Sequence, residues 1–443
     1  MPQTTAPAAL PVLGHTPAFA RDPLGFLQRL KATQGPVARF SLGAPFVLLT
    51  RPADVHTVLQ DTGRTFSKGY QRGFAMPLVL GNGLVSSEGD FWRRQRRLAQ
   101  PAFHATHIAR YGETMVRLTQ DLMRTWQEGE VRDLQVDMTR LTQRIVVATL
   151  FGTTLPEDEH RLSEALSVIE DGIMLDNFTW RALVPPFLPA PGRPALRRAV
   201  ATVEQVLERV MAERRESGET HSDLLGLLMG ARDDEGNAMT DRQLRDEAVT
   251  LYIAGHETTA NTLAWALWLL SQHDEARERL EEELRVVLGS RAPTTADLPR
   301  LPYLNAAVKE TLRLYPAAWI FNRRVDTDVT LGGETLKAGT SVMVSPWLMH
   351  REGQVFGDPL AFRPERWEDG FERQLPRGAY LPFGGGPRIC IGNAFASMEA
   401  ALVLATLLQE WRVKAPGRVT PLPSITLRPK GGLPSRLQRR GTG

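Results

Sequence analysis

The segment Phe383 to Gly392, FGGGPRICIG, carries the only cysteine in a chain of 443 residues. One thiol excludes an internal disulfide framework, so the fold must be held by its own core. In arbitrary context a lone cysteine is a small buried core residue. Here three consecutive glycines, a proline, Arg388 two positions before Cys390 and Gly392 two positions after it predict a loop with little Cβ obstruction. Such a loop lets a flat ligand approach the backbone closely. The following run NAFASMEAALVLATLLQEW has apolar residues at helical spacing and strong helix formers, which predicts a helix beginning within a residue or two of the thiol. Backbone N–H groups and the positive end of the helix dipole at that N-terminus favour thiolate over thiol.

A thiolate is a metal ligand, and the residues around it narrow the metal. Structural zinc asks for four Cys or His ligands at short spacing; there is no second cysteine, and the nearest upstream histidine is His350. A single thiolate as the sole protein ligand suits haem iron, whose porphyrin supplies the other equatorial donors. The pattern Phe383, Gly384, Gly386, Arg388, Cys390, Gly392 resembles the haem-binding loop of the cytochrome P450 monooxygenases.

Length alone would allow two or three domains. No linker, repeat or low-complexity stretch supports a split, so the expectation is a proline-rich leader over 1–22 and one large domain over 23–443. With 42% hydrophobic and 23% charged residues the composition is that of an ordinary globular protein with a core large enough to enclose a cofactor. A net charge of +3 and the lack of a recognisable motif argue against nucleic acid as a partner. The N-terminal segment has neither the roughly 20-residue apolar run of a membrane span nor the pattern of a signal peptide. A cytoplasmic protein without a transmembrane anchor is expected, with peripheral bilayer contact left open.

Two strand-like runs, 37–42 and 46–50, flank a Gly43-Ala44-Pro45 hairpin turn. Residues 88–152 are helical in pattern with Pro101 as an interruption, and helices are predicted over 157–171 and 194–217 around a proline-rich loop. The longest helical candidate, 241–271, would span roughly 45 Å at 1.5 Å per residue. A helix over 302–315, β-rich sequence to Val344 and a short β-like tail complete a chain that is mainly α with small sheets, the fold class that the P450 resemblance also implies.

Within the long helix, AGHETT from Ala254 to Thr259 places an acid and hydroxyls in apolar surroundings, a costly choice unless the groups are used. Thr258 bonding back to a preceding carbonyl on a solvated stripe is the alternative. The resemblance implies that this helix crosses the distal face of a haem b, near Ala254. It further implies that Glu257 and Thr258 relay protons during dioxygen activation and that Gly255 leaves room for the oxygen. Glu310 and Arg313, three apart in KETLRLYP, share a helix face and could be an ordinary surface ion pair. The resemblance of FRPERW to the family segment adds Arg366 and implies a buried structural triad.

Haem propionates call for cationic partners, and guanidinium groups suit carboxylates. By position in the family pattern these are Arg388, Trp92 and Arg96 one helical turn apart in FWRRQRR, and Arg323, with Arg324 leaving that register ambiguous. Arg93, Arg94 and Arg97 are expected in solvent. Substrate-lining positions implied by the family are Tyr70, Arg72, Phe74, Leu78, Leu251, Trp319 and Ile320, with Arg72 the candidate anchor for a carboxylate.

These residues together imply a monooxygenase that takes NAD(P)H electrons through ferredoxin and ferredoxin reductase and places one atom of O2 in an apolar small molecule. LYPAAWIFNRR and TLRPKGGLPSR are similar to bacterial carotenoid-ring hydroxylases of the family, which favours a carotenoid or another terpenoid. A fatty-acid hydroxylase, a peroxide-driven peroxygenase and a haem-binding sensor or carrier are the other readings.

Overall fold

Thr240 starts the longest helix of the protein, Asp241–Gln272, through a reciprocal cap. Its Oγ1 accepts from Gln243 N at 3.3 Å, and its own N–H donates to Gln243 Oε1 at 2.8 Å, which satisfies two backbone donors left over at a helix start. The computed structural model describes residues 9–69, 74–152, 156–178, 181, 184–217 and 222–441. Within them the class is the expected one, mainly helical with small sheets. The contacts divide the chain into two compact units: Met1–Gly69 with Glu310–Phe362 and Arg366–Cys390, and Tyr70–Lys309 with Arg363–Glu365 and Ile391–Gly443.

In the second unit the long helix is buried on nearly every side from Leu244 to Leu270, polar residues such as Glu247, His256 and Glu257 included. It packs on Leu134–Phe151 and on Asn393–Glu410, the helix that follows Cys390 in the chain. Val146, Val147, Leu150 and Phe151 share a core with Leu162, Leu166, Ile169 and Ile173 of the helix Pro156–Phe178. That helix runs seven residues past the expected end at Asp171 because Ile173 continues the buried stripe at helical spacing.

In the first unit Val37–Ser41 and Pro45–Leu49 form the predicted hairpin, with Phe40 opposite Phe46 and Gly43 in the left-handed region at φ +74°. Pro45–Leu49 pairs in parallel with Ser341–Val344, which pairs antiparallel with Phe321–Val325, and Phe66–Ser67 closes the sheet. The helix Pro52–Gln60 lays Val55, Val58 and Leu59 on Val47, Leu49, Val342 and Val344. In the stretch read as a leader, Thr16–Arg21 is helical and Phe19 packs edge-on against Phe26 with ring centroids 5.6 Å apart. Among the described residues no helix is long and apolar enough to cross a membrane.

Candidate active site

Cys390 is the last residue of the first unit and is exposed and outside any disulfide. Its N–H donates to Phe383 O at 3.0 Å, which closes the segment between them into a loop. Gly384 takes φ +72° with open space where a Cβ would sit, so the conformation itself asks for glycine. Gly386 serves packing: a Cβ there would lie 2.1 Å from Leu59 O. The uniform openness expected of the three glycines is thus corrected, because this one lets the loop press on the helix Pro52–Gln60. Three residues beyond Cys390 the helix Asn393–Glu410 begins, with Gly392 as its N-cap.

The base of this loop rests on the triad. Glu310 and Arg313 are fully buried and paired at two points, Nε to Oε2 and Nη2 to Oε1, both 2.8 Å. Arg366 Nε donates to Oε1 at 2.9 Å and Trp367 Nε1 to Oε2 at 2.9 Å. Arg313 also donates to the carbonyls of His350, Pro359 and Ala361. His350, which the sequence used only to argue against zinc, links this cluster to the loop. Its Nδ1 lies 3.2 Å from Arg313 O, so Nδ1 carries the proton and Nε2 accepts from Leu381 N at 2.8 Å. Burial, then the charge of Arg313, push its pKa down to about 3, and the ring stays neutral. Leu381 O in turn accepts from Gly384 N at 3.2 Å.

Arg323 lies on a strand whose burial alternates, and this resolves its register: Arg323 points inward, 5% exposed, and Arg324 outward. Arg323 Nη1 donates to Asn322 O at 2.9 Å. Trp319 is corrected as a lining residue. It is 1% exposed and its carbonyl accepts from Ser345 Oγ at 2.9 Å, so it belongs to the core, while Ile320 beside it is half-buried.

In the second unit, the buried long helix has one open strip: Ala254 is exposed and Leu251, Gly255 and Thr258 are half-buried. Thr258 Oγ1 donates to Ala254 O at 3.0 Å, Thr259 to Gly255 O at 3.3 Å and Thr262 to Thr258 O at 2.9 Å. Back-bonding of this kind is what the alternative reading foresaw, and it holds the Thr258 hydroxyl on the strip. Gly255 also serves packing: a Cβ there would meet Val146 Cγ2 at 3.1 Å, so the missing side chain allows close approach of the helix Leu134–Phe151. Glu257 does not share the strip. It is 9% exposed, and its Oε1 accepts from Thr426 Oγ1 at 2.5 Å. Burial, and then the neighbouring Glu170 charge, raise its pKa above the usual carboxylate value. His256 is fully buried; burial alone would lower its pKa, but Glu170 Oε1, 3.4 Å from Nε2, holds it above the ordinary value.

Trp92 and Arg96 lie on the helix Gly89–Ala99 and line an open groove of about 660 Å³ with Arg93, Arg97, Phe103 and His104. Arg94 is not simply solvated, as expected, but donates to Asp233 at 2.7 Å and to Ala238 O at 3.2 Å. On the buried side of the same helix, Gln95 Nε2 donates to Glu247 Oε1 at 3.2 Å, and Leu84 N donates to Oε2 at 3.0 Å. Neither Gln95 nor Glu247 carries a sequence signal. Phe74 and Leu78 are half-buried, with the Arg193 guanidinium 4.5 Å over the Phe74 ring. Tyr70 and Arg72 lie outside the described residues.

A helical fold with one exposed thiol at the end of a glycine loop narrows the class to proteins that could offer a metal a single sulfur ligand, and comparison with known proteins supplies the family. The cytochrome P450 family profile matches residues 5–436. Among relatives, the cyclooctat-9-en-7-ol 5-monooxygenase of Streptomyces melanosporofaciens is 38% identical over 96% of this chain and 91% of its own. The pentalenene oxygenase of Streptomyces avermitilis is 34% identical over 92% of this chain and 91% of its own. The chloroplastic protein LUTEIN DEFICIENT 5 of Arabidopsis thaliana is 32% identical over 88% of this chain and 69% of its own. The chain belongs to the cytochrome P450 family and is a cytochrome P450 monooxygenase.

Membership implies a haem-iron cofactor and electrons from an external redox partner. The donor set fits such a group. Among the described residues no cluster of three or more His, Cys, Asp or Glu side chains could hold a metal ion, whereas Cys390 is an exposed single thiol. That pairing suits iron whose other equatorial donors belong to the macrocycle.

Proposed function

We propose that this protein hydroxylates a terpenoid ring, with Cys390 as the thiolate that would hold the haem iron and with Trp92, Arg96, Arg323 and Arg388 as the groups that would meet its propionates. Phe383, Gly384 and Gly392 would shape the loop that holds the group, and Ala254 would offer it an apolar face. When bound, haem activates dioxygen, aided by electron donation from the thiolate. The chain's own residues do the rest. Leu251, Ala254, Phe74 and Leu78 of the second unit bind an apolar substrate and exclude water. Thr258, its proton engaged by Ala254 O, offers acceptor lone pairs on the open strip. Glu257 holds the proton to be delivered, and its burial keeps that proton on the carboxyl to a higher pH than usual.

The observation that carries the substrate class is the open strip itself: in a helix otherwise enclosed, Leu251, Ala254 and Thr258 give an apolar surface with a single hydroxyl. Such a lining recognises a hydrocarbon skeleton by shape. Two relatives bear the names of oxygenases of cyclic terpenes, and a third is named for lutein, a carotenoid. These names favour oxygenation over a sensor or carrier role, and a terpenoid over a fatty acid. NAD(P)H electrons are proposed to arrive through ferredoxin reductase and a ferredoxin; Arg93 and Arg97 are exposed but already paired with Asp90 and Asp234. The domain reading of 23–443 as one haem-binding unit with a short leader goes with this proposal.

The test is reconstitution with a surrogate ferredoxin and reductase, offering cyclic sesquiterpenes and diterpenes, carotenoids and a long-chain fatty acid. A spin-state shift and a mono-oxygenated product are expected with a terpenoid; turnover of the fatty acid alone refutes the substrate class. Cys390→Ser should abolish the red-shifted Soret band of the ferrous carbonyl form and lower turnover by at least a hundredfold, on the order of 2.7 kcal/mol or more. Retention of the band overturns the ligand assignment.

A further inference from the structure

The Thr426 hydroxyl stands between two partners, Glu257 Oε1 at 2.5 Å and Asn261 Nδ2 at 2.8 Å. Asn261 Oδ1 in turn accepts from Gln135 Nε2 at 2.7 Å. Asn261, Thr426 and Glu257 are all buried. Thr426 is set in place from two sides. Ser424 N donates to its carbonyl at 3.0 Å, and Trp265 Nε1, on the same long helix as Glu257, donates to the carbonyl of Leu427 at 2.9 Å.

Elementary hydrogen-bond chemistry gives this chain a direction. An ionised carboxylate only accepts, and a hydroxyl has one proton to give. Thr426 therefore gives its proton to Oε1 and accepts from Asn261, which must present its NH2. The Asn261 carbonyl then faces Gln135, which must donate; the amide orientations follow from the charge on Glu257. Placing a proton on Oε1 would oblige Thr426 to turn and accept from it on its second lone pair, still accepting from Asn261, and would leave the Thr426 proton without the acceptor it has now. Each bond lost on the way costs roughly 1 kcal/mol or more in a buried site. Placing it on Oε2 moves none of the three.

We propose that Thr426, oriented by Asn261 and Gln135, is a positioning residue that commits Oε1 of Glu257 as an acceptor and leaves Oε2 as the oxygen that takes up and releases the proton. This rests on the reading of Glu257 as the acid of proton delivery. The charged groups around that carboxyl are Glu170 from the helix Pro156–Phe178, His256 on its own helix and Arg428 from the strand Leu427–Pro429. Burial and Glu170 favour the protonated form, while Thr426, His256 and Arg428 favour the carboxylate. Loss of the hydroxyl therefore shifts ionisation of Glu257 to higher pH.

Thr426→Val keeps the shape and removes the hydroxyl; Thr426→Ser keeps the hydroxyl. In the holoenzyme, the ionisation midpoint of Glu257 is read from the carbonyl stretch of its protonated form, in infrared difference spectra against Glu257→Gln. The midpoint should rise by about one pH unit in Thr426→Val and return in Thr426→Ser, with Asn261→Leu moving it the same way by less. An unchanged midpoint in Thr426→Val overturns the proposal, and if that variant does not fold, Thr426→Ala is read by the same criterion. Hydrogen peroxide released per electron pair is measured alongside. A rise in peroxide with the shifted midpoint supports both readings. A shifted midpoint with unchanged peroxide keeps the Thr426 assignment and removes Glu257 from proton delivery.

Discussion

Glu310 and Glu257 are both carboxyls inside a packed protein, but their surroundings are built for opposite ends. Glu310 takes hydrogen bonds from Arg313 at two points, from Arg366 and from Trp367, between 2.8 and 2.9 Å. The two guanidiniums are held in turn by backbone carbonyls from His350 to Ala361. Fixed donors of that number satisfy a buried charge and make a rigid foundation. Around Glu257 the compensation is thinner. A neutral hydroxyl meets Oε1, a second acid stands nearby, and the carboxyl holds its proton above the usual pH. Glu399 in the same unit is fully buried and is driven well above the usual carboxyl range by that burial. The thiol loop is thus held by charges with nothing left to exchange, whereas the long helix and the helix Asn393–Glu410 keep buried acids, Glu257 and Glu399, that hold their protons above the usual pH.

The sharpest way to break the comparison is to remove the carboxylate of the foundation. Glu310→Ala leaves Arg313 and Arg366 as buried cations without their shared anion. Stripping one partner from a buried ion pair costs about 3–5 kcal/mol. Urea denaturation should show a loss of that size, and a loss below about 1 kcal/mol would mean the cluster relaxes into solvent and is no foundation.

A smaller and pH-dependent effect sharpens the other side. Glu247 is fully buried, and burial raises its pKa from 4.5 to about 7 against the hydrogen bonds from Leu84 N and Gln95. The folded protein therefore binds this proton more tightly than the unfolded chain does. The contribution to stability is complete below about pH 4.5 and is lost as pH rises through about 7, on the order of 3 kcal/mol at most. Glu247→Gln preserves the shape and cannot ionise, so its melting temperature relative to the native protein should climb between pH 5 and 8. A difference independent of pH over that window would show that Glu247 is already ionised when folded.

What the sequence made legible follows the same division between local and distant partners. Cys390 sits in a short segment whose residue types point to a chemistry; Glu310 with Arg313, Trp92 with Arg96, and Glu257 with Thr258 are singled out by resemblance to the family's segments, and the helical and hairpin periods place those segments on their elements. The residues that set them in position have partners far away in the chain. His350 meets Leu381 across 31 positions, Gln95 meets Glu247 across 152, and Glu257 meets Thr426 across 169. Single histidines, glutamines and threonines carry no period, and nothing local distinguishes them from surface residues. Side-chain direction was lost for a similar reason. Arg323 and Arg324 differ only in strand parity, which the pairing of Phe321 with Val344 fixes, and Trp319 lies just before that strand, turned into the core.

The least of the expected effects bears on whether the long helix owes its place to the absence of one methyl group. A Cβ added at Gly255 would stand 3.1 Å from Val146 Cγ2, closer than ordinary van der Waals contact. Alanine in a helix interior gains about 0.5–1 kcal/mol over glycine, while overpacking in a tight core costs about 1–3 kcal/mol. The cost outweighs the gain, so Gly255→Ala alone should be destabilised by about 1 kcal/mol. Removing the opposing methyls should restore or reverse the sign, so Gly255→Ala with Val146→Ala is expected to be more stable than the sum of the two single changes. Such coupling between touching residues typically amounts to about 0.5–3 kcal/mol. Strict additivity in denaturation midpoints would place the helix clear of Val146, and room beside Thr258 on the open strip, rather than helix packing, would then be the reason for glycine.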